Sequence, residues 1–431
     1  MEPRIGIREA GGVHQDTFRV GVSGLRNGAA SGRPVPFARL PRLMGDRVAI
    51  VGVGHSGFAP ITAGLSYKEL TFEAATRAYD DAGINPRKDV DSFVAVSEDL
   101  WEGTSIFDEY VPDQIGGALR PVHTVSSDGL FGVATAMMLI RSGHASVVAV
   151  EGHSKASDII TLDHIHQFAL DPVYNRPLDV PPIAIAGLEM NRYLDATGTS
   201  EEQCALVVEK NRRNALDNPL AAYPADVSAA DVAESDPMWW PLRRLDIANR
   251  ADGCVVLVLA DADRARDLTD APVWVLGAGW SSGTPTLESR SWDEADYVRQ
   301  AADRAYAMAR IGSPGRDVDF AEVDDTYSYR ELMHLEALRL ARAGEAGGML
   351  EDGHWGREGE LPVNASGGSL GQGYLFEANG LARTLECVLQ LRGEAGERQL
   401  ADAGVAVAQS WRGIPTTTAA VTIFASDEAA A

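Results

Sequence analysis

The chain has 431 residues, of which 45% are hydrophobic, and a formal net charge of −24. That length exceeds what a single core supports, about 250 to 300 residues, so two similar lobes are expected. The negative field excludes nucleic acid and anionic membrane surfaces as partners, and any anionic ligand must find a locally basic mouth. In chain order, residues 1–43 are rich in Gly, Arg and Pro and lack the apolar stretch of a secretory signal. They read either as a disordered extension or as the product of a start codon placed too early. From Met44 a turn feeds an apolar run, Val48 to Val53, of the kind found in a strand covered on both faces. Tyr67 to Gly83 has helical periodicity, and Val90 to Val96 is again strand-like, so the alternation specifies an α/β layered architecture. No apolar run reaches the roughly 20 residues a membrane span needs. Cys204, Cys254 and Cys387 show neither metal-ligand spacing nor even pairing. Neither a disulfide nor a metal site is expected, and a reducing, cytoplasmic setting fits.

The pattern then repeats. Glu73-Ala-Ala-Thr-Arg-Ala-Tyr79 is echoed by Gln300-Ala-Ala-Asp-Arg-Ala-Tyr306, and Asp89-Val-Asp-Ser-Phe-Val94 by Asp317-Val-Asp-Phe-Ala-Glu322. A second pair follows in register. The helix Gly129 to Arg141 and strand Ser146 to Val150 match the helix Gly380 to Leu391 and strand Gly404 to Ala408. An internal duplication of one βαβ-rich lobe accounts for both. The first lobe covers 44–265 and the second 271–431, with the two Gly/Ser-rich helix starts meeting near a pseudo-twofold axis. An insertion at about 158–250, with Pro-rich turns and a charged helix from Ser200 to Asn214, interrupts the first lobe. Its roles are ligand contact or a capping and dimer-contact subdomain.

Four segments carry a family resemblance. Asn364-Ala-Ser-Gly-Gly-Ser-Leu-Gly-Gln-Gly373-Tyr374-Leu-Phe-Glu-Ala-Asn-Gly380 resembles, without a gap, the Asn-x-x-Gly-Gly-x-x-x-x-Gly-His-Pro-x-Gly-Ala-x-Gly signature of the thiolase superfamily. Ser126-Ser-Asp-Gly129 is similar to that family's nucleophile loop, and Glu151-Gly-His-Ser-Lys-Ala-Ser157 to its Gly-x-Glu-x-Met-Ser element. Val323-Asp-Asp-Thr-Tyr-Ser-Tyr-Arg-Glu331 is similar to its Val-His-Asp-Cys-Phe-Ser-x-x-Glu element. The resemblance covers Met44 to Phe424 and points to the sterol carrier protein x and lipid-transfer branch. It implies a thiolase fold: duplicated five-stranded mixed-sheet lobes in αβαβα layers with a helical insertion.

Residue by residue, the resemblance implies lost thiolase chemistry. The nucleophilic cysteine is Ser126, the histidine of Gly-His-Pro is Tyr374, the second catalytic cysteine is Trp411, and an oxyanion donor is Asp324. A serine without a base is a poor acyl acceptor, and an ionised carboxylate repels an oxyanion. Steroid side-chain aldolases of the same superfamily also lack the cysteine and place a tyrosine where Tyr374 stands. Their retro-aldol chemistry needs an acid and a base, with no nucleophile. By that analogy Tyr374 and Asp324 form the pair, although the aldolases carry a second tyrosine where Asp324 stands. Tyr327 and Tyr329 are the alternative phenols.

Each residue has a plainer reading. Tyr374 also reads as a hydrogen-bonded filler, and Asp324 as half of a salt bridge. Ser126 and Ser127 read as helix caps. His123 and His153 either donate to a thioester oxygen or are satisfied structural histidines. Lys210, Arg212, Arg213, Arg243 and Arg244 either receive coenzyme A phosphates or form a solvated face. Gly367, Gly368 and Gly373 allow two loops to approach closely beside the acyl group. The resemblance further implies acyl-CoA as substrate, no covalently bound cofactor, a homodimer, and a small zinc-ribbon and OB-fold protein as partner. Three activities are therefore expected: C–C cleavage, non-catalytic acyl-CoA binding, and acetyl-CoA acyltransfer.

Overall fold

The computed structural model describes residues 47–97, 106–159, 162–284 and 286–427; the extension expected at 1–43 lies outside them. The apolar first strand β1 (Val48–Ala59) runs past its expected end at Val53. It is flanked by two strands that it pairs antiparallel, β7 (Asp252–Asp261) and β8 (Val273–Ser282). Around them lie β2 (Ser92–Val96), β3 (Val122–Val125), β4 (Val147–Lys155), β9 (Phe320–Glu322), β10 (Val405–Trp411) and β11 (Thr418–Ala425). Their order is β3-β2-β4-β7-β1-β8-β11-β10-β9, a near-palindrome about the β1–β8 seam. That seam consists of two register pairs, Ala49 with Trp274 and Ile50 with Val273. The expected two sheets are thus continuous at one edge. The second lobe also departs from a five-stranded sheet: where β3 lies beside β2, β9 has a single bridge from Ala321 to Val363.

The duplication extends to packing detail. Helix α1 (Tyr67–Asp81) lies so close on β1 that a Cβ at Gly54 would sit 2.1 Å from the Ala74 carbonyl oxygen. In the second lobe a Cβ at Gly279 on β8 would sit 2.1 Å from the Ala301 carbonyl oxygen. The Tyr79 hydroxyl donates to the Ile115 carbonyl at 2.6 Å, and its counterpart Tyr306 donates to that of Leu338 at 2.9 Å. Asp91 accepts from the amides of Ser146 and Val147, as Asp319 does from those of Gly404 and Val405.

Helix α2 (Gly129–Arg141) begins and ends where its periodicity predicts, and its later counterpart (Asn379–Arg392) is buried along nearly its whole length. The two helix starts meet: a Cβ at Gly129 would lie 2.5 Å from the Leu381 amide nitrogen. The insertion folds as helices α3 (Pro182–Thr197) and α4 (Glu201–Asn214) and a hairpin of β5 (Pro237–Trp239) and β6 (Leu242–Arg243). A Ser200–Gln203 capping box starts α4. Two further helices are α5 (Asp296–Ala309), the echo of α1, and α6 (Ser328–Ala337). The helix Asn379–Arg392 is α7.

Candidate active site

Tyr374 is held by its backbone, which pairs with the insertion: its amide donates to the Asn249 carbonyl at 2.7 Å and its carbonyl accepts from Ala251 at 3.0 Å. Its ring packs at 4.9 Å on Phe376 and lines a cavity of about 290 Å³. Tyr327, Trp411, Thr326, His166 and Ile414 form other parts of that wall, with Arg244 and Arg250 exposed at its rim. The phenol oxygen abuts Gly413, where a Cβ would lie 3.1 Å away. Burial, then the charges of Asp324, Glu377 and Asp128, push the Tyr374 phenol well above its ordinary range. It is therefore a neutral hydrogen-bond donor at physiological pH. Trp411 contributes a wall: its Nε1–H donates to the Thr416 carbonyl, and the Arg330 guanidinium lies 3.9 Å from the ring centroid.

Asp324 lies fully buried behind this cavity, within reach of it through one hydroxyl. Thr326 Oγ1 donates to Asp324 Oδ2 at 3.2 Å, and Thr326 faces the cavity. The same Oδ2 accepts from Arg383 Nη2 at 3.0 Å, so the salt-bridge reading of Asp324 is realised. Arg383 also donates to Ser369 and faces Asp325 at 3.8 Å. Asp325 in turn accepts the amides of Ser369 and Leu370 and the Asn211 side chain. Desolvation, then the Glu331 charge, pushes Asp325 up to about 7. Gly368 makes this arrangement possible, since a Cβ there would lie 2.2 Å from Asp325 Oδ2. Gly367 and Gly373 have positive φ and approach Ala215 and Ala251 too closely for a side chain.

Asp128 was not among the expected site residues. Its Oδ1 accepts from the Leu130 amide of α2 and its Oδ2 from the Gly380 amide of α7, each at 3.0 Å, so one carboxylate caps two helices from the two lobes. Burial pushes it up to about 6. The cap expected at Ser126 and Ser127 is thereby corrected: Asp128 is the N-cap, and Ser126 is exposed and forms no part of the cavity wall. The sequence signal was present, since Asp is a preferred N-cap immediately before Gly129.

The other expected residues scatter. Tyr329 is fully buried and donates to Glu189 at 2.7 Å, away from the cavity wall. His153 turns toward α1, stacking on Tyr67 with Nδ1 2.7 Å from Glu151. His123 sits half-exposed on β3, at the sheet edge. Burial lowers its imidazole pKa. Arg243 donates to the Ser235 carbonyl and lines a separate cavity with Glu201 and Asp246. The basic cluster divides: Lys210 pairs with buried Glu331 at 3.1 Å and Arg212 bonds the Tyr223 carbonyl, leaving Arg244 at the cavity rim. Tyr374, Tyr327, Trp411 and Arg244 are thus brought together, with Asp324 one hydroxyl behind. His166, Thr326 and Arg250 were not anticipated there.

Comparison with known proteins fits this geometry. Residues 281–426 match the family model described as Thiolase C-terminal domain-like. An acetyl-CoA acetyltransferase of Methanothermobacter thermautotrophicus is 32% identical, over 88% of this chain and 99% of its own length. The chain belongs to the thiolase superfamily. Its lipid-transfer branch is indicated by two further relatives. A 17-hydroxy-3-oxo-4-pregnene-20-carboxyl-CoA lyase of Mycobacterium tuberculosis is 28% identical, over 81% of this chain and 93% of that protein. The solved structure titled Ltp2-ChsH2(DUF35) aldolase superposes with a TM-score of 0.77 at 25% identity, covering 89% of this chain and 99% of that one. All three thiols of this chain are buried and outside the Tyr374 cavity wall. Cys254 lies 3.8 Å from Glu151, on the α1 side. Among the described residues no helix is long and apolar enough to cross a membrane.

Proposed function

We propose that this chain cleaves the Cα–Cβ bond of a β-hydroxyacyl-CoA by a retro-aldol reaction, without a covalent acyl-enzyme. The observation that carries the reading is a neutral, half-buried phenol sharing a cavity with a threonine hydroxyl that is bonded to a carboxylate, with no thiol in the wall. The substrate β-hydroxyl gives its proton to Thr326 Oγ1 as Thr326 passes its own to Asp324. The hydroxyl oxygen becomes a carbonyl, the Cα–Cβ bond breaks, and its electron pair moves to the thioester as an enolate. Tyr374 hydrogen-bonds the enolate oxygen and supplies the proton to Cα; the proton on Asp324 then restores the phenol through solvent. The products are an aldehyde or ketone and a shortened acyl-CoA. Arg244 and Arg250 supply a basic rim at this cavity for coenzyme A phosphates.

The reading includes a homodimer in the cytoplasm, with β3 at the pairing edge. It also includes a small zinc-ribbon and OB-fold partner, for which the two-component title of the aldolase structure is the support. A second reading, a non-catalytic acyl-CoA-binding subunit, draws on the enclosure of Asp324 by Arg383, which lowers its availability as a base. Acetyl-CoA acyltransfer is supported by the archaeal relative's name and opposed by the absence of a thiol at the cavity.

The test is to incubate the protein, alone and with a candidate partner, with panels of β-hydroxyacyl-CoA and β-ketoacyl-CoA esters. Release of aldehyde or ketone is expected, falling about 10²–10⁴-fold in Tyr374→Phe with unchanged melting temperature. Saturable ester binding without turnover under every condition would transfer the conclusion to the binding subunit.

A further inference from the structure

The wall of the Tyr374 cavity runs out onto the surface at the insertion hairpin. Met238 of β5 lines the cavity and is 36% exposed, so one apolar side chain joins the interior to the outside. Trp239 and Trp240 follow it, 41% and 69% exposed. Phe168, two residues on from His166 of the same wall, is 71% exposed. The hairpin that carries the tryptophans is held in place. Trp239 lies so close on α3 that a Cβ at Gly187 would sit 2.5 Å from its Cδ1. Leu242 is fully buried, the Arg243 amide donates to Asp246 Oδ2 at 2.9 Å, and the Arg244 amide donates to the Asp236 carbonyl at 2.9 Å. Large apolar side chains exposed on a fixed support beside a cavity mark a surface that a ligand or a partner covers.

The size of the cavity decides between them. A single benzene ring takes a cavity of about 150 Å³, and the thioester carbonyl, Cα and Cβ must share the same 290 Å³. An acyl group with more than about six carbons beyond Cβ therefore has to leave the cavity, and Ile183 and Met238 offer it an apolar way out. Arg244 and Arg250 stand at the rim for the anionic end of the ester, while Met238 and Trp240 serve its apolar end. We infer that the hairpin face of Met238 and Trp240, with Ile183 at its inner end, is an acyl subsite, and that the substrates are esters with an apolar body of more than about six carbons beyond Cβ. This rests on the acyl-CoA reading of the Tyr374 cavity.

Calorimetric titration of the full chain with octanoyl-CoA and dodecanoyl-CoA tests this. Both are saturated esters without a β-hydroxyl, so neither can be cleaved. Each methylene taken out of water strengthens binding by up to about fourfold, so the longer ester should bind at least about tenfold more tightly. In Trp240→Ser, and in the double variant with Met238→Ser, the ratio of the two affinities should fall below about threefold. An equal affinity of the unaltered chain for the two esters overturns the subsite, as does a ratio that persists in the double variant. A Trp240→Ser chain that sediments as a smaller species with its ratio unchanged also overturns it, assigning the hairpin to a contact between copies. The retro-aldol reading fails separately: length-dependent binding with no aldehyde or ketone from any β-hydroxyacyl-CoA keeps the subsite and removes the lyase, and carbonyl release with a flat series does the reverse.

Discussion

The two lobes agree in their scaffolds and differ in their charges. Where backbone meets backbone, at Gly54 of β1 against α1 and Gly279 of β8 against α5, the lobes are near copies, down to a tyrosine hydroxyl bonded to a carbonyl in each. At the inner ends of the strands they part. The first lobe buries the pairs Glu151–His153 and Lys155–Asp252. The second buries Glu322, Asp324, Asp325, Arg330, Glu331, Arg383 and Glu386 within a single polar interior. Duplication preserved what packing requires, while chemistry accumulated on one side.

The largest expected effect tests that asymmetry. Arg383→Met leaves Asp324 and Asp325 without their cation and should cost about 3–5 kcal/mol in urea unfolding. A loss below about 1 kcal/mol, the scale of an exposed pair, would mean the polar interior is not organised by this arginine. Gly54→Ala and Gly279→Ala should each cost about 1–3 kcal/mol, and by similar amounts; a strongly unequal outcome would break the equivalence of the scaffolds. The pH dependence sharpens the contrast next. Asp128, Asp325 and Glu322 all have native pKa values raised by burial, so the native state binds their protons more tightly than the unfolded chain does. Stability should therefore rise as pH falls from about 8 toward about 4, and Asp128→Asn should reduce that slope. A flat profile in calorimetry at several pH values would contradict it. Smallest, Tyr79→Phe and Tyr306→Phe should each lose about 1 kcal/mol, measured by the same unfolding.

These particulars also show what could be read from letters. The helix Gly129–Arg141 was legible to the residue because a glycine and an apolar stripe coincide there, although its cap was placed on the serines before Asp128. The β1–β8 seam was not, because two register pairs leave no periodic trace. Tyr374, Tyr327 and Trp411 were placed by motif spacing, and they do share a cavity. Arg383 was invisible as the partner of Asp324, since it arrives from α7 and no local pattern couples them. Lys210 was misjudged because a charge on a helix reads as solvated, whereas here Glu331 draws it inside. His166 entered the cavity wall through the insertion, whose path over the lobes has no signature in composition.

The doubly engaged carboxylate of Asp128 constrains any evolutionary or engineered return to sulfur chemistry. A cysteine at position 126 would stand exposed, two residues from the Asp128 carboxylate that already occupies the Leu130 and Gly380 amides. Such a thiol would lie outside the wall of the Tyr374 cavity, so Ser126→Cys alone should revive no acyl transfer there.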